Sequence, residues 1–207
     1  MTDFARRGRQ LEVFTIAYNS LEGLASIVAG AFAGSIALVG FGADSVIEVI
    51  SGVTLLWRLR AGQTHEESER AERLALRIVG VCFLLLAVYV IVDSGKLLLR
   101  REAPHESIAG IFIAGLSVIV MPLLVRSKRR VAAELRSEAL RADAMQTQVC
   151  TYLSAILLLG LGLNALFGWW WADPIAALLM VPIVVKEGVE GLRGETCDDC
   201  APTGGVV

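Results

Sequence analysis

Long apolar runs alternate with short charged segments along this chain. From Val13 to Trp57 there are 45 residues, and only Glu22, Asp44 and Glu48 are charged. A helix rises about 1.5 Å per residue, so about 20 residues cross a hydrocarbon layer about 30 Å thick. The run therefore makes two spans, with a break at Gly34-Ser35. A charged segment follows, Arg58 to Arg73, then a third apolar run, Leu74 to Leu99. The fourth, Ile108 to Val125, carries no charge and ends in the basic sequence Arg126-Ser-Lys-Arg-Arg130, expected as a loop. The fifth run, Ala144 to Ala172, is 29 residues without a charge, and the sixth begins at Pro174. The pattern predicts an all-α membrane protein of six transmembrane helices, at about 11–33, 36–57, 74–99, 106–125, 137–168 and 173–192. Residues 1–10 are expected as a basic tail and 194–207 as a second tail. The first run is too long for a signal-peptide core and lacks a small-residue cleavage site.

Composition agrees with this division. Of 207 residues 55% are hydrophobic and 19% charged, and the net charge of −2 gives no reason to expect nucleic acid. The distribution of the 19 Lys and Arg sets an orientation. With the amino terminus inside, 16 fall on the inner side and 3 (Lys96, Arg100, Arg101) on the outer. That bias places both termini in the cytoplasm. It also puts Trp169-Trp170-Trp171 at the outer interface, where aromatic belts lie.

Polar groups inside the runs carry the chemical information, because a carboxylate at the bilayer centre costs about 2.5–3.5 kcal/mol on insertion scales. Asp44 and Glu48 stand four apart and share one helix face. Asn19, Glu22 and Ser26 repeat at helical spacing in span one, as do Asp143, Gln146 and Cys150 in span five. At the helical rise, Glu22 lies about 16 Å from the inner end of its span, Glu48 about 14 Å, and Asp44 and Cys150 about 20 Å. Three helices thus present carboxylate, amide and thiol groups at a common depth. Paired carboxylates repel unless a proton or a cation joins them, and carboxylates with a thiol suit a divalent ion of borderline softness such as Zn²⁺. Taken singly, a buried Glu also serves as a helix–helix hydrogen bond and a buried Cys as a small apolar residue. Cys82 reads as packing, and Asp93 as lying near the outer interface.

The sequence Ala43-Asp-Ser-Val-Ile-Glu48 resembles the D-x-x-x-D motif in the second helix of the cation diffusion facilitator (cation efflux) family. Leu140-Arg-Ala-Asp-Ala-Met-Gln-Thr-Gln-Val-Cys150 is similar to that family's R-A-D-x-x-H-x-x-x-D pattern in the fifth helix. The resemblance covers about residues 11–193. It implies metal ligands at Asp44, Glu48, Gln146 (the histidine place) and Cys150 (the second acidic place), with Asn19, Glu22 and Asp143 on the metal or proton path. Gln and Cys depart from the family pattern and point to a divergent branch that handles a softer ion. The resemblance also implies a homodimer. The family's soluble domain is expected to be absent, since 14 residues follow Arg193. They include Cys197-Asp-Asp-Cys200, which reads either as a cytoplasmic metal-capture pair or as an acidic tail with two reduced thiols. His65, with Glu66 and Glu69, reads better as part of a solvated face than as a ligand; His105 has no assigned role.

The expected function is a secondary transporter of the inner cell membrane. It would export Zn²⁺, with Cd²⁺, Co²⁺ and Fe²⁺ as alternatives, in exchange for protons. Its partners would be lipid, the metal, protons and a second copy of the chain. The rival reading is a membrane sensor or scaffold that binds metal without moving it. An enzyme is not expected, because both histidines fall in predicted loops and no nucleophile–base pair is in reach.

Overall fold

The computed structural model describes residues 2–60, 65–101, 105, 107–135 and 137–193. They form six helices: α1 (Thr2–Ala33), α2 (Ile36–Arg60), α3 (His65–Arg100), α4 (Ile108–Leu135), α5 (Glu138–Phe167) and α6 (Ala172–Arg193). Five of these, at 6–33, 36–54, 80–100, 108–135 and 143–167, are long and apolar enough to cross a membrane. Lys186, Glu187 and Glu190 make α6 the exception in composition, yet it packs along α3 and against α5. The protein is a multi-pass integral membrane protein.

The helices continue beyond the apolar runs. The basic residues Arg6, Arg7 and Arg9 ride on α1 rather than preceding it. The segment Arg126–Arg130, expected as a loop, is helical within α4, and α3 begins as early as His65. Lys, Arg and Glu are good helix formers. Hydropathy marks where hydrocarbon ends, and the backbone hydrogen bonds need not end there.

Ser35 starts α2, its Oγ accepting from the Leu38 N–H at 3.1 Å. The tight reversal before it needs Gly34 at φ 67°, a left-handed conformation that costs a residue with a Cβ. Asp173, at the start of α6, accepts from Ser35 Oγ at 2.5 Å and from the Ile36 N–H at 3.1 Å. One carboxylate thereby satisfies an orphan donor of α2 and fixes the N-terminal end of α6 beside it. α5 starts at Ser137, whose side chain accepts from the Leu140 N–H. After α5, Trp169 and Trp171 stack with ring centroids 4.9 Å apart.

The pairs α1–α2, α4–α5 and α3–α6 are the closest, and α1, α2, α5 and α4 close a four-helix ring. The α3–α6 pair lies against the α2 and α5 side of it. The ring buries a line of polar residues beside an apolar cluster that includes Leu38, Phe41, Met121, Leu153 and Leu157, and its outside is apolar. On α1 the buried polar residues are Glu12, Thr15, Asn19, Glu22 and Ser26, while Phe14, Leu21, Leu24 and Phe32 face outward. On α4, Ser117 and Lys128 are buried and Phe112, Leu116, Ile119 and Leu123 exposed. Such an apolar exterior fits a lipid surround. Cys82, expected in packing, is exposed on α3: the apolar stripe of that helix faces outward, and only Gly80, Phe83, Ala87, Val90 and Ser94 are buried among its described side chains.

The α3–α6 contact is made backbone to backbone. A Cβ on Gly80 would stand 2.6 Å from the Gly188 carbonyl and 2.7 Å from the Leu192 nitrogen. Small residues that let helices approach are the usual basis of packing in lipid. G80A must therefore separate the two helices and is expected to cost about 1–3 kcal/mol. G95A on the same helix, where nothing lies within 4 Å, should leave stability unchanged. Thermal unfolding of the two variants in detergent checks this.

Candidate metal centre on the polar axis

Asp44 and Glu48 are buried on α2, one turn apart. Cys150 of α5 is buried opposite them, its thiol within interaction range of both carboxylates. Glu22 belongs to the same axis. Its carboxylate accepts from Ser45 of α2 at 3.1 Å and from Ser117 of α4. Ser45 follows Asp44 directly, so the α1 acid and the α2 acids meet at neighbouring levels. Glu187 of α6, half-buried, is a further carboxylate that Asp44 feels from outside the ring.

Buried polar atoms without partners cluster here. Both amide atoms of Asn19, Ser26 Oγ and Glu48 Oε2 make no hydrogen bond among the described residues. An unsatisfied buried polar group is costly, and native chains keep one where water, a proton or an ion completes it. Among the described residues, however, no three of His, Cys, Asp and Glu converge as a ready metal cage. Asp44, Glu48 and Cys150 are neighbours, but their donor atoms do not converge on one point.

The inward face of α5 is not quite the one that the spacing implied. Asp143, Thr147, Cys150 and Ser154 are buried, whereas Gln146 is half-buried at the edge of that face and makes no hydrogen bond among the described residues. Thr147 takes the inner position. Its Oγ1 donates to Glu48 Oε1 at 2.8 Å and accepts from Lys128 Nζ at 3.2 Å. Asp143 is held by the same ammonium, with Nζ 2.5 Å from Oδ2, and Glu12 Oε1 lies 3.5 Å from it. A Cβ on Gly52 would stand 3.6 Å from Glu12 Oε2, which puts this ion cluster one turn from Glu48 toward the C-terminal end of α2.

The sequence reading gives Glu12 and Thr147 no role and Lys128 only a place in a basic loop, yet the pattern holds a signal for two members of the ion cluster, Glu12 and Lys128. The stripe Asn19, Glu22, Ser26 extends backward at the same spacing to Thr15 and Glu12. The buried positions of α4 (Gly110, Ala114, Ser117, Met121) continue in step through Leu124 to Lys128. The surrounding basic residues hid Lys128, because a charge run reads as solvated. Asp93 is partly exposed and pairs with Lys96 at 3.0 Å. Cys197 and Cys200 lie outside the described residues, as does the side chain of His65, whose backbone opens α3.

The chain is similar to known proteins over nearly this whole region. A family profile described as "Cation efflux transmembrane domain" matches residues 13–194. The cation-efflux pump FieF of Shewanella oneidensis is 26% identical over 155 residues, which are 72% of this chain and 50% of that protein. The proteins of the same name from Salmonella paratyphi A and Salmonella agona are each 26% identical over 161 residues, 75% of this chain and 53% of theirs. The chain thus spans about half the length of the curated relatives it matches. With a helical ring polar on its axis and a profile match over its six helices, the chain belongs to the cation efflux family.

Proposed function

We propose that the protein exports a divalent transition-metal ion, Zn²⁺ before Cd²⁺, Co²⁺ or Fe²⁺, in exchange for protons. The ion binds near the bilayer midplane between α2 and α5. Asp44, Glu48 and Cys150 are its ligands, and Gln146 is a fourth if its side chain turns inward. Glu22 and Asn19 line the path on the α1 side at about the level of the ion, and Asp143 lies one turn from it toward the N-terminal end of α5. The observation that carries this reading is the pair of buried carboxylates on α2 with the α5 thiol against them, in a chain of this family. The relatives' printed name, cation-efflux pump, supports the direction of transport.

Proton exchange follows from ligand chemistry. Carboxylate and thiol ligands bind a metal only when deprotonated, so protons and metal compete for the same atoms. Protons arriving from the outer side release the ion there, and the emptied, protonated site returns inward. Rocking between inward- and outward-open states moves a fixed site between the two solutions. The chain works as a homodimer in the inner cell membrane with both termini cytoplasmic, where Cys197 and Cys200 capture metal. A cysteine pair is half of a tetrahedral site, which a second copy completes.

In proteoliposomes with an imposed pH gradient, the wild-type chain is expected to move Zn²⁺ against its concentration gradient. The D44A/E48A variant, folded as judged by its unfolding temperature, is expected to lose the flux entirely; transport at the wild-type rate would refute the site. Zn²⁺ binding to the wild-type chain without flux would favour a sensor.

Zn²⁺ affinity measured by titration calorimetry is expected to fall steadily as pH is lowered, with proton release on binding. An affinity independent of pH would contradict competition at Asp44, Glu48 and Cys150. C150D is expected to shift preference toward harder ions such as Mn²⁺.

A further inference from the structure

The ion cluster one turn from Glu48 draws one side chain from each of three helices: Glu12 from α1, Lys128 from α4 and Asp143 from α5. Lys128 and Glu12 are fully buried and Asp143 nearly so. Gly52 of α2 closes the fourth side, so the cluster sits within the ring and on its axis. Glu12 Oε2 makes no hydrogen bond among the described residues. Without the ammonium, two carboxylates and the Thr147 hydroxyl would surround a small space inside a low-dielectric bundle. Such a set of oxygens is what a hard cation seeks.

We propose that Lys128 is a tethered cation that permanently fills an acidic cradle made by Glu12, Asp143 and Thr147, and so keeps free cations out of it. The consequences are chemical. A mobile divalent ion held there, one turn from Glu48, would repel a second ion at Asp44 and Glu48. A covalently attached charge offsets one of the cradle's two carboxylates and cannot leave with the cargo. Through Thr147, which accepts from Lys128 and donates to Glu48, the same ammonium orients the Glu48 carboxylate. One oxygen, Oε1, is engaged, and Oε2 is buried without a hydrogen bond among the described residues. Lys128 thus acts as a positioning residue for the metal centre and as the occupant of a latent second one.

The role of Lys128 toward Glu48 rests on the metal site proposed above, whereas the occupied cradle does not. The test separates them. In the full-length D44A/E48A background, K128S is expected to gain one Mn²⁺ per chain, seen by electron paramagnetic resonance and by equilibrium dialysis. Its unfolding temperature is expected to rise with added Mn²⁺. Both gains should vanish when E12Q/D143N is added. A K128S chain that folds only in the presence of Mn²⁺ would also support the cradle. A K128S chain that neither binds Mn²⁺ nor is stabilised by it, folded or not, overturns the proposal. In the otherwise wild-type chain, Mn²⁺ is expected to inhibit Zn²⁺ flux of K128S at least ten-fold more strongly than that of K128R. A purely packing role for Lys128 would produce neither new binding nor new inhibition.

Discussion

A carboxylate inside a hydrocarbon layer has to find a cation, a hydroxyl donor or a proton, since bare burial costs several kcal/mol. Every helix of the ring is oriented by that requirement. α1 turns Glu12 and Glu22 inward because only the ring interior offers Lys128, Ser45 and Ser117. α4 turns Lys128 inward for the same reason, and α5 follows with Asp143 and Thr147. The apolar faces are then left to lipid, which is why Phe32 and Phe112 are largely exposed while Glu12 is not. In water the same side chains would arrange themselves the other way round.

The two ends of the axis meet this requirement differently. At one end a fixed ammonium, that of Lys128, lies between Glu12 and Asp143, one positive charge against two carboxyl groups. Near the middle Glu22 and Glu48 accept from hydroxyl donors and Asp44 has the Cys150 thiol beside it, and among the described residues none of the three forms an ion pair with a cation. A permanent counter-ion touches the carboxylates at one end of the axis, and hydroxyl groups touch them at the other. A carrier needs the second arrangement, because a site that is already balanced has no use for a cargo ion. Asp173 is a third case. It spends its charge on the Ser35 hydroxyl and the Ile36 amide, fastening α6 to the start of α2.

The fold was legible in the sequence because the apolar runs are long enough to span a bilayer and too long for soluble helices. Helix ends were less so: hydropathy stops at Val125, while the backbone of α4 continues to Leu135. Asp44 and Glu48 stood out because acids four apart in an apolar run have no inexpensive alternative. Lys128 did not, since its partners come from positions 12 and 143, and no local window holds all three. Gln146 and Thr147 differ by one residue, and the one-residue rotation of a helix face depends on packing across the bundle, which spacing alone leaves open.

The site assignment centres on one thiol and two carboxylates holding the same ion. X-ray absorption at the zinc edge addresses this directly, on the full chain carrying C197S/C200S and loaded with one Zn²⁺. The expected ligand shell is mixed, with one sulfur at about 2.3 Å and oxygens at about 2.0–2.2 Å. The sulfur contribution should disappear in C150S. A shell without sulfur, or one that C150S leaves unchanged, would contradict a metal centre built from Asp44, Glu48 and Cys150.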